Sequence, residues 1–343
     1  MRARLWFGAL AVCVVTAPAP ALAAGTEYSL LDFSDLSGWK DDDHDAALTA
    51  FLETCGDMDA EEWGPLCAFA GMRPDARTFF ELFFRPVLAE DGAPARFTGY
   101  FEPELRGSLT PTARYRYPLY RKPPEASGAW LTRAEIETGN ALKGRGLEIC
   151  WVDDPVELFF LQIQGSGRVR LPDGGVIRVG YGGENGRPYR SVGAELVRRG
   201  TYRPHQVSAR VIQSWVRRNP VAGPVLLRHN PSYVFFRRVQ VAEDKGPLGA
   251  MNRSVTALRT VAVDPAHVPL GAPVWVEKRG GQPMNRLMVA QDTGSAIRGA
   301  QRADIFFGSG ERAGMAARRV RDGGRMVMLL PIRVAFRLVP EGV

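Results

Sequence analysis

The sequence predicts an α+β protein, mainly β with helices, built from two domains. Three observations carry this. The chain has 343 residues, 45% apolar and 24% charged, enough apolar material for a packed core and, at roughly 150 residues per domain, length for about two domains. Helical periodicities and strand patterns alternate through the middle of the chain. From residue 260 onward, short strands separated by Gly and Pro follow one another, the pattern of a small barrel.

Residues 1–23 read as a secretory signal, with Arg2 and Arg4 as the positive start, residues 5–15 as the apolar stretch, and Ala21-Leu22-Ala23 as the cleavage site. A membrane anchor is the alternative, disfavoured because the apolar run is shorter than the ~20 residues of a span and Pro18 and Pro20 interrupt its end. Cys13 follows Val12 rather than a small residue, so a lipid anchor is doubtful. Losing Arg2 and Arg4 with no acid takes the net charge from +7 to +5. That suits an anionic polymer at the cell envelope, and equally an ordinary solvated surface. No later apolar run is long enough to span a bilayer, which excludes a polytopic membrane protein. No dense Lys/Arg run interleaved with aromatics occurs, so nucleic acid is not an expected partner.

After the signal, residues 41–55 place Ala46, Ala47, Phe51 and Leu52 at helical spacing behind an Asp-rich start. Residues 75–87 repeat the pattern, with Phe79, Phe80, Phe83 and Phe84 as a core stripe. Thr132 and Glu135 form a capping box for a short helix stopping at Gly139, Ser191 opens another closed by Gly200, and Val211, Ile212, Trp215 and Val216 mark a third ended before Pro220. Residues 155–164 are an apolar, β-branched and aromatic run read as a strand, which would place Gln162 and Gln164 on one face. Residues 168–171 and 176–180, around Pro172-Asp173-Gly174-Gly175, spell a hairpin. Strands follow at 260–263, 273–276, 287–290, 305–307, 325–330 and 333–336, and residues 237–249 form a linker.

Four scattered His and Cys without paired C-x-x-C spacing give no metal site. Cys55 and Cys67 form a candidate disulfide in an oxidising compartment. Cys150, in an apolar run, reads as a buried thiol.

The residues that point to chemistry are three aspartates beside glycines at the ends of C-terminal strands: Asp264 in VAVDPAHVPLG, Asp292 in MVAQDTGSAIRG and Asp304 in RADIFFGSG. A carboxylate at an apolar strand end must be hydrogen-bonded, paired or used. Each also suits a plain turn cap, the favoured reading for Asp264 before Pro265. The strand followed by Asp292-Thr293-Gly294 looks like half of an aspartic protease site, but such an enzyme needs two of these carboxylates and no second D-T/S-G exists.

VAVDPAHVPLGAPVWVE, AQDTGSAIRG and RADIFFGSG together resemble the 3D domain, and FTGYFEPEL, LFFLQIQGSGRVRL, VGYGGENGRPYRSVG and NPSYVFFR resemble the lytic murein transglycosylase A family, over roughly residues 96–340. The resemblance implies a double-psi β-barrel from residues 96–107 and 240–343, with the 3D domain at about 260–340. It also implies an inserted β-rich domain over 108–239 and a glycan groove between the two. Residues 24–95 would be an N-terminal helical region packing on the barrel. The implied activity is that of a peptidoglycan lytic exotransglycosylase, a lyase without cofactor, acting as a monomer on glycan strands in the periplasm or at the outer membrane. Cell-wall synthesis or division proteins are candidate partners.

In that family the D-x-[YF]-x-G-like aspartate, here Asp304, is the acid and then the base. Its pKa would be raised by flanking Ile305, Phe306 and Phe307 and by a nearby Asp292. Thr98, Gly99, Tyr100, Gln162, Gln164, Ser166, Asn185, Tyr189 and Asp264 are the candidate glycan contacts. Two rival readings remain open, a non-catalytic glycan-binding barrel and a hydrolase using Asp292 as second carboxylate.

Overall fold

The computed structural model describes residues 25–294 and 296–340, so the expected signal segment lies outside the described residues. The chain opens with strand β1 (Glu27–Leu30), then helices α1 (His44–Cys55), α2 (Gly64–Gly71) and α3 (Ala76–Phe83). The Asp43 and Asp75 side chains cap α1 and α3 by accepting the Ala46 and Thr78 N–H groups. Cys55 at the end of α1 and Cys67 in α2 are joined as a disulfide, their Cα atoms 5.5 Å apart.

The helix expected to run to Val87 stops at Phe83, because Pro86 can neither donate to a helical carbonyl nor tolerate a helical residue before it. Strand β2 (Phe84–Glu90) begins there. The region expected to be helical therefore contributes two strands, paired antiparallel, to a sheet.

Strand β3 (Arg96–Glu102) is followed at once by β4 (Glu104–Ser108), then β5 (Tyr117–Tyr120), α4 (Arg133–Thr138), β6 (Glu148–Val152), α5 (Pro155–Gln164), β7 (Gly167–Arg170) and β8 (Val176–Glu184). Next come α6 (Val192–Arg198), α7 (Ala209–Arg218), α8 (Ala222–Leu227) and β9 (Val234–Val239). The capping box at Thr132 and the serine caps at Ser191 and Ser208 start α4, α6 and α7.

The strand expected over residues 155–164 is the helix α5. Asp154 accepts the Val156 and Glu157 N–H groups, Pro155 fills the first turn, and Gly165 ends the helix in the left-handed region at φ 78°. These start and stop signals outweigh the strand-like composition between them.

The C-terminal part holds β10 (Thr260–Val263), β11 (Pro273–Lys278), β12 (Met284–Thr293), β13 (Arg302–Ser309), α9 (Gly310–Ala317), β14 (Arg321–Asp322), β15 (Gly324–Pro331) and α10 (Ile332–Leu338). Residues 333–336, expected as a strand, are helical. The turn after Pro331 ends the ladder and buries Ala335 against the sheet.

The strands form two sheets. The larger runs β1-β2-β15-β11-β12-β10-β13-β3-β14, with β10/β12 and β13/β3 parallel and the other neighbours antiparallel. The smaller runs β5-β6-β4-β7-β8-β9. The chain passes between them at Pro103, which has no N–H to extend the β3 ladder but accepts from the Arg168 N–H of the second sheet at 2.8 Å. Residues 104–107, expected with the first region, thus pair in the second sheet, Leu105 opposite Val169.

Helices α1 and α3 cover the large sheet. Phe51, Phe79, Phe80 and Phe84 are fully buried there with Trp275, Val289 and Ile305, each such side chain contributing about 1.5–3 kcal/mol on burial. Leu105, Val169, Val179 and Phe236 form the smaller sheet's core around Cys150, whose thiol burial pushes up to about 12. At the crossing, Glu102 is 1% exposed and accepts from Arg168 Nε (2.8 Å), Arg178 Nη2 (3.0 Å) and Ser309 Oγ (2.6 Å), tying β3 and β13 to β7 and β8. Sequence reasoning passed over this residue, because nothing in one chain segment says that two arginines from a distant hairpin converge on it.

Candidate active site

The registers of the large sheet put five residues from five strands in one row. Arg321 on β14 faces Thr98 on β3, Thr98 faces Asp304 on β13, Asp304 faces Ala262 on β10, and Ala262 faces Asp292 on β12. Paired positions point to the same side of a sheet, so the side chains of the row share one face. Thr98 Oγ1 accordingly donates to Asp304 Oδ1 at 2.7 Å. Behind it, Arg302 Nη2 donates to Thr98 Oγ1 at 2.8 Å. Tyr100, two residues along β3 and packed at a tilt against Phe306 with ring centres 5.1 Å apart, reaches over β13 and β10 to donate to Asp292 Oδ2 at 2.8 Å.

The two carboxylates are held differently. Asp292 Oδ1 accepts the Thr293 N–H (2.9 Å) and the Ala250 N–H (3.1 Å), so both its oxygens are engaged. Asp304 has Thr98 on Oδ1, and no described residue donates to Oδ2.

Both side chains keep some accessible surface yet are closely surrounded, Asp304 by strands whose Ile305 and Phe306 are sealed in the core. Burial raises the Asp304 carboxyl above its ordinary value, opposed by the Thr98 hydrogen bond and the Arg302 charge. Burial likewise pushes Asp292 up to about 6, against its three hydrogen bonds, with repulsion from Asp304 adding to the rise. Burial is thus the main cause that lifts both carboxyls, and their mutual repulsion disfavours ionising the two together. Burial and the neighbouring carboxylates hold the Tyr100 phenol well above 10, so it stays a donor.

Of the other candidate residues, Gln164 comes nearest, its Oε1 accepting the Phe101 N–H at 3.3 Å. Positions i and i+2 of a helix point about 200° apart, so Gln162 and Gln164 diverge rather than share a face. Gln162 is buried beside Tyr233, with its Oε1 unpartnered. Gly99 turns toward α9: a Cβ there would sit 2.8 Å from the Ala317 backbone and from Phe307, so glycine is required for helix packing.

Asn185 is sealed and saturated, donating to Leu131 O (2.7 Å) and Pro231 O (2.9 Å) and accepting from Tyr233 N–H (2.8 Å). Ser166 is half-buried between α5 and β7, and Tyr189 is 47% exposed before α6. Asp264 is 5% exposed and accepts from the Gly299 N–H (2.9 Å), the Ala266 N–H (3.2 Å) and Arg298 (3.3 Å). Burial works against ionisation of Asp264, and these donors outweigh it and hold the carboxyl below its usual range. Asp264 thus ties its own turn to the segment at Arg298 and Gly299, outside the row.

Arg302, Ala250 and Arg321 complete the site without having been singled out in the sequence. Arg302 precedes Asp304 by two and so shares its face, a signal available once the strand is known. The other two are brought in by tertiary pairing alone. Among the described residues no group of His, Cys, Asp and Glu is arranged to hold a metal, and no helix is long and apolar enough to cross a membrane.

Residues 96–237 match the family model described as the MltA specific insert domain, and residues 259–330 match the 3D domain. The chain is 33% identical over 259 residues to the membrane-bound lytic murein transglycosylase A of Vibrio cholerae, covering 71% of this chain and 69% of that one. The crystal structure of a membrane-bound lytic murein transglycosylase from Agrobacterium tumefaciens superposes with a TM-score of 0.81 at 33% identity, over 91% of this chain and 99% of that one. The structure of E. coli MltA with bound chitohexaose superposes with a TM-score of 0.73 at 28% identity, over 89% and 94%. With both family models matched in order and relatives aligned over most of their length, the chain belongs to the lytic murein transglycosylase A family.

Proposed function

We propose that the protein cleaves the β-1,4 bond between N-acetylmuramic acid and N-acetylglucosamine of peptidoglycan without water, leaving 1,6-anhydro ends, with Asp304 as the single acid and base. The observation that carries this is the state of Asp304. Its Oδ1 is fixed by Thr98, its Oδ2 has no donor among the described residues, and burial favours the protonated form. The Oδ2 proton passes to the glycosidic oxygen as the C1–O bond breaks. The carboxylate left behind takes the O6 proton while O6 closes on C1. Because the nucleophile belongs to the substrate, the second carboxylate of ordinary glycosidases is not required.

Asp292, saturated by Tyr100, Thr293 and Ala250, has no lone oxygen to activate water, which favours this reading over a two-carboxylate hydrolase. In this reading Asp292 holds Tyr100 as a wall of the sugar site, and Thr98 and Gln164 lie beside it. The double-psi barrel, the glycan groove between the two sheets and monomeric action belong to the same proposal, supported by the relative that holds chitohexaose, a β-1,4 chain of N-acetylglucosamine. So does a location in the envelope, supported by the membrane-bound relatives and the charge pattern of residues 1–23.

Mass spectrometry of the products from sacculi incubated with wild type and Asp304→Asn tests it. Anhydromuropeptides from the wild type alone are expected. Reducing ends would make the protein a hydrolase, and no cleavage by either would leave a binding module.

A further inference from the structure

Residues 187–228 contain nine arginines and one acidic residue, Glu195, so this segment alone carries +8 in a chain whose total is +7. It folds as α6–α8, packed on α5 around Leu196, Ile212 and Leu226. Ion pairs neutralise part of the charge: Arg198 and Arg199 share Glu195, Arg217 meets Asp154 and Glu157, and Arg228 meets Glu137. Arg187, Arg190, Arg203, Arg210 and Arg218 have no carboxylate partner among the described residues, and all but Arg187 are exposed. On α7, Arg210, Arg217 and Arg218 fall at i, i+7 and i+8, an exposed stripe away from the buried Ile212 and Val216.

This surface touches the active-site sheet. Arg321 Nη2 donates to the carbonyl of Val207, in the loop between α6 and α7, at 3.4 Å. Arg321 is the cross-strand neighbour of Thr98, and Thr98 is that of Asp304. The arginine surface therefore begins at the end of the row, two strand spacings, or about 10 Å, from β13. Uncompensated guanidiniums repel one another, and carboxylates are the groups they bind in bidentate geometry.

We propose that the α6–α8 surface, with Arg321 as its member closest to the cleaved bond, receives the carboxylates of the peptide stems carried by muramic acid. This rests on the reading of the protein as murein-cleaving, and it makes the enzyme select stem-bearing over bare glycan.

The test is fluorescence anisotropy of soluble uncrosslinked glycan chains, stem-bearing and amidase-stripped, with the full chain and its Arg203→Gln/Arg210→Gln/Arg218→Gln variant. The variant is expected to bind stem-bearing chains about tenfold more weakly, and the wild type to lose a similar factor at about 0.5 M salt. Stripped chains should bind both proteins alike. Equal weakening on both chains, no weakening, or weakening only toward phosphatidylglycerol vesicles would each overturn the proposal. Product analysis of the same incubations separates the two readings, since absent cleavage by the wild type refutes the proposed reaction while anisotropy still reports on the surface.

Discussion

Strand β3 carries two acid clusters four residues apart, and they are built on opposite plans. At Glu102 a carboxylate is sealed and its Oε2 takes three donors, two of them guanidiniums and one a hydroxyl. At Thr98 the neighbouring Asp304 receives one hydrogen bond on one oxygen and none from a described residue on the other. A carboxylate held by three donors is fitted to fix structure, whereas a desolvated one held by a single hydroxyl is fitted to carry a proton, the role proposed for Asp304. Asp264 and Asp292 sort by the same criterion toward the first plan, although Asp292 lies in the row.

Four substitutions would break or sharpen this contrast. Asp304→Asn should lower kcat by about 10³-fold, read from anhydromuropeptide release, with an unchanged melting temperature. A residual rate within tenfold of wild type would remove Asp304 from the chemistry. Glu102→Ala takes the carboxylate from buried Arg178 and half-buried Arg168 and should lower unfolding stability by about 3 kcal/mol in urea titrations. A loss below 1 kcal/mol would show the cluster to be solvated.

Asp292 reverses the sign. Its carboxyl, pushed from 3.8 up to about 6, favours the neutral form in the folded chain, so that stabilisation is full below pH 3.8 and is lost as pH rises through 6. Asp292→Asn should therefore be more stable than wild type by about 3 kcal/mol at pH 7.5, with the difference vanishing near pH 3.5. A pH-independent difference would contradict the shift. The smallest effect belongs to Thr98→Val, which removes the bond opposing the rise of Asp304. Because Asp304 acts first as an acid in the proposed reaction, the alkaline limb of kcat/KM should move upward by about half a pH unit to one unit. A downward move would mean that Thr98 does not act on this carboxyl.

Local patterns carried much of the fold. Capping signals placed α4 and α6, apolar spacing ahead of Pro220 placed α7, and the Gly- and Pro-punctuated run placed β10 to β13 and β15, because each of these is specified by residues within a few positions of one another. The misreadings came where local signals conflicted. Residues 155–164 look like a strand by composition, yet Asp154, Pro155 and Gly165 start and stop a helix there. Phe84 continues the helical stripe of Phe80, yet Pro86 converts it to a strand. At the site, the motifs brought Thr98, Tyr100, Asp292 and Asp304 into view one segment at a time. Their order across the sheet depends on parallel pairings between strands far apart in the chain. The same dependence hid Ala250, Arg321 and Glu102, and let Asn185, a sealed polar clamp, pass for a surface contact.

The bond from Thr98 to Asp304 closes a loop of 206 residues, and β14, which pairs with the same strand, lies still later in the chain. Contacts this distant in sequence form late, after the entropy of a long closure has been met. A polypeptide delivered N-terminus first therefore remains without its acid site until almost its last strand has emerged. On the proposed mechanism, any chain broken off before residue 304 contains Thr98 and Tyr100 but not the acid, so unfinished or truncated molecules would be harmless to the polymer that the complete one degrades.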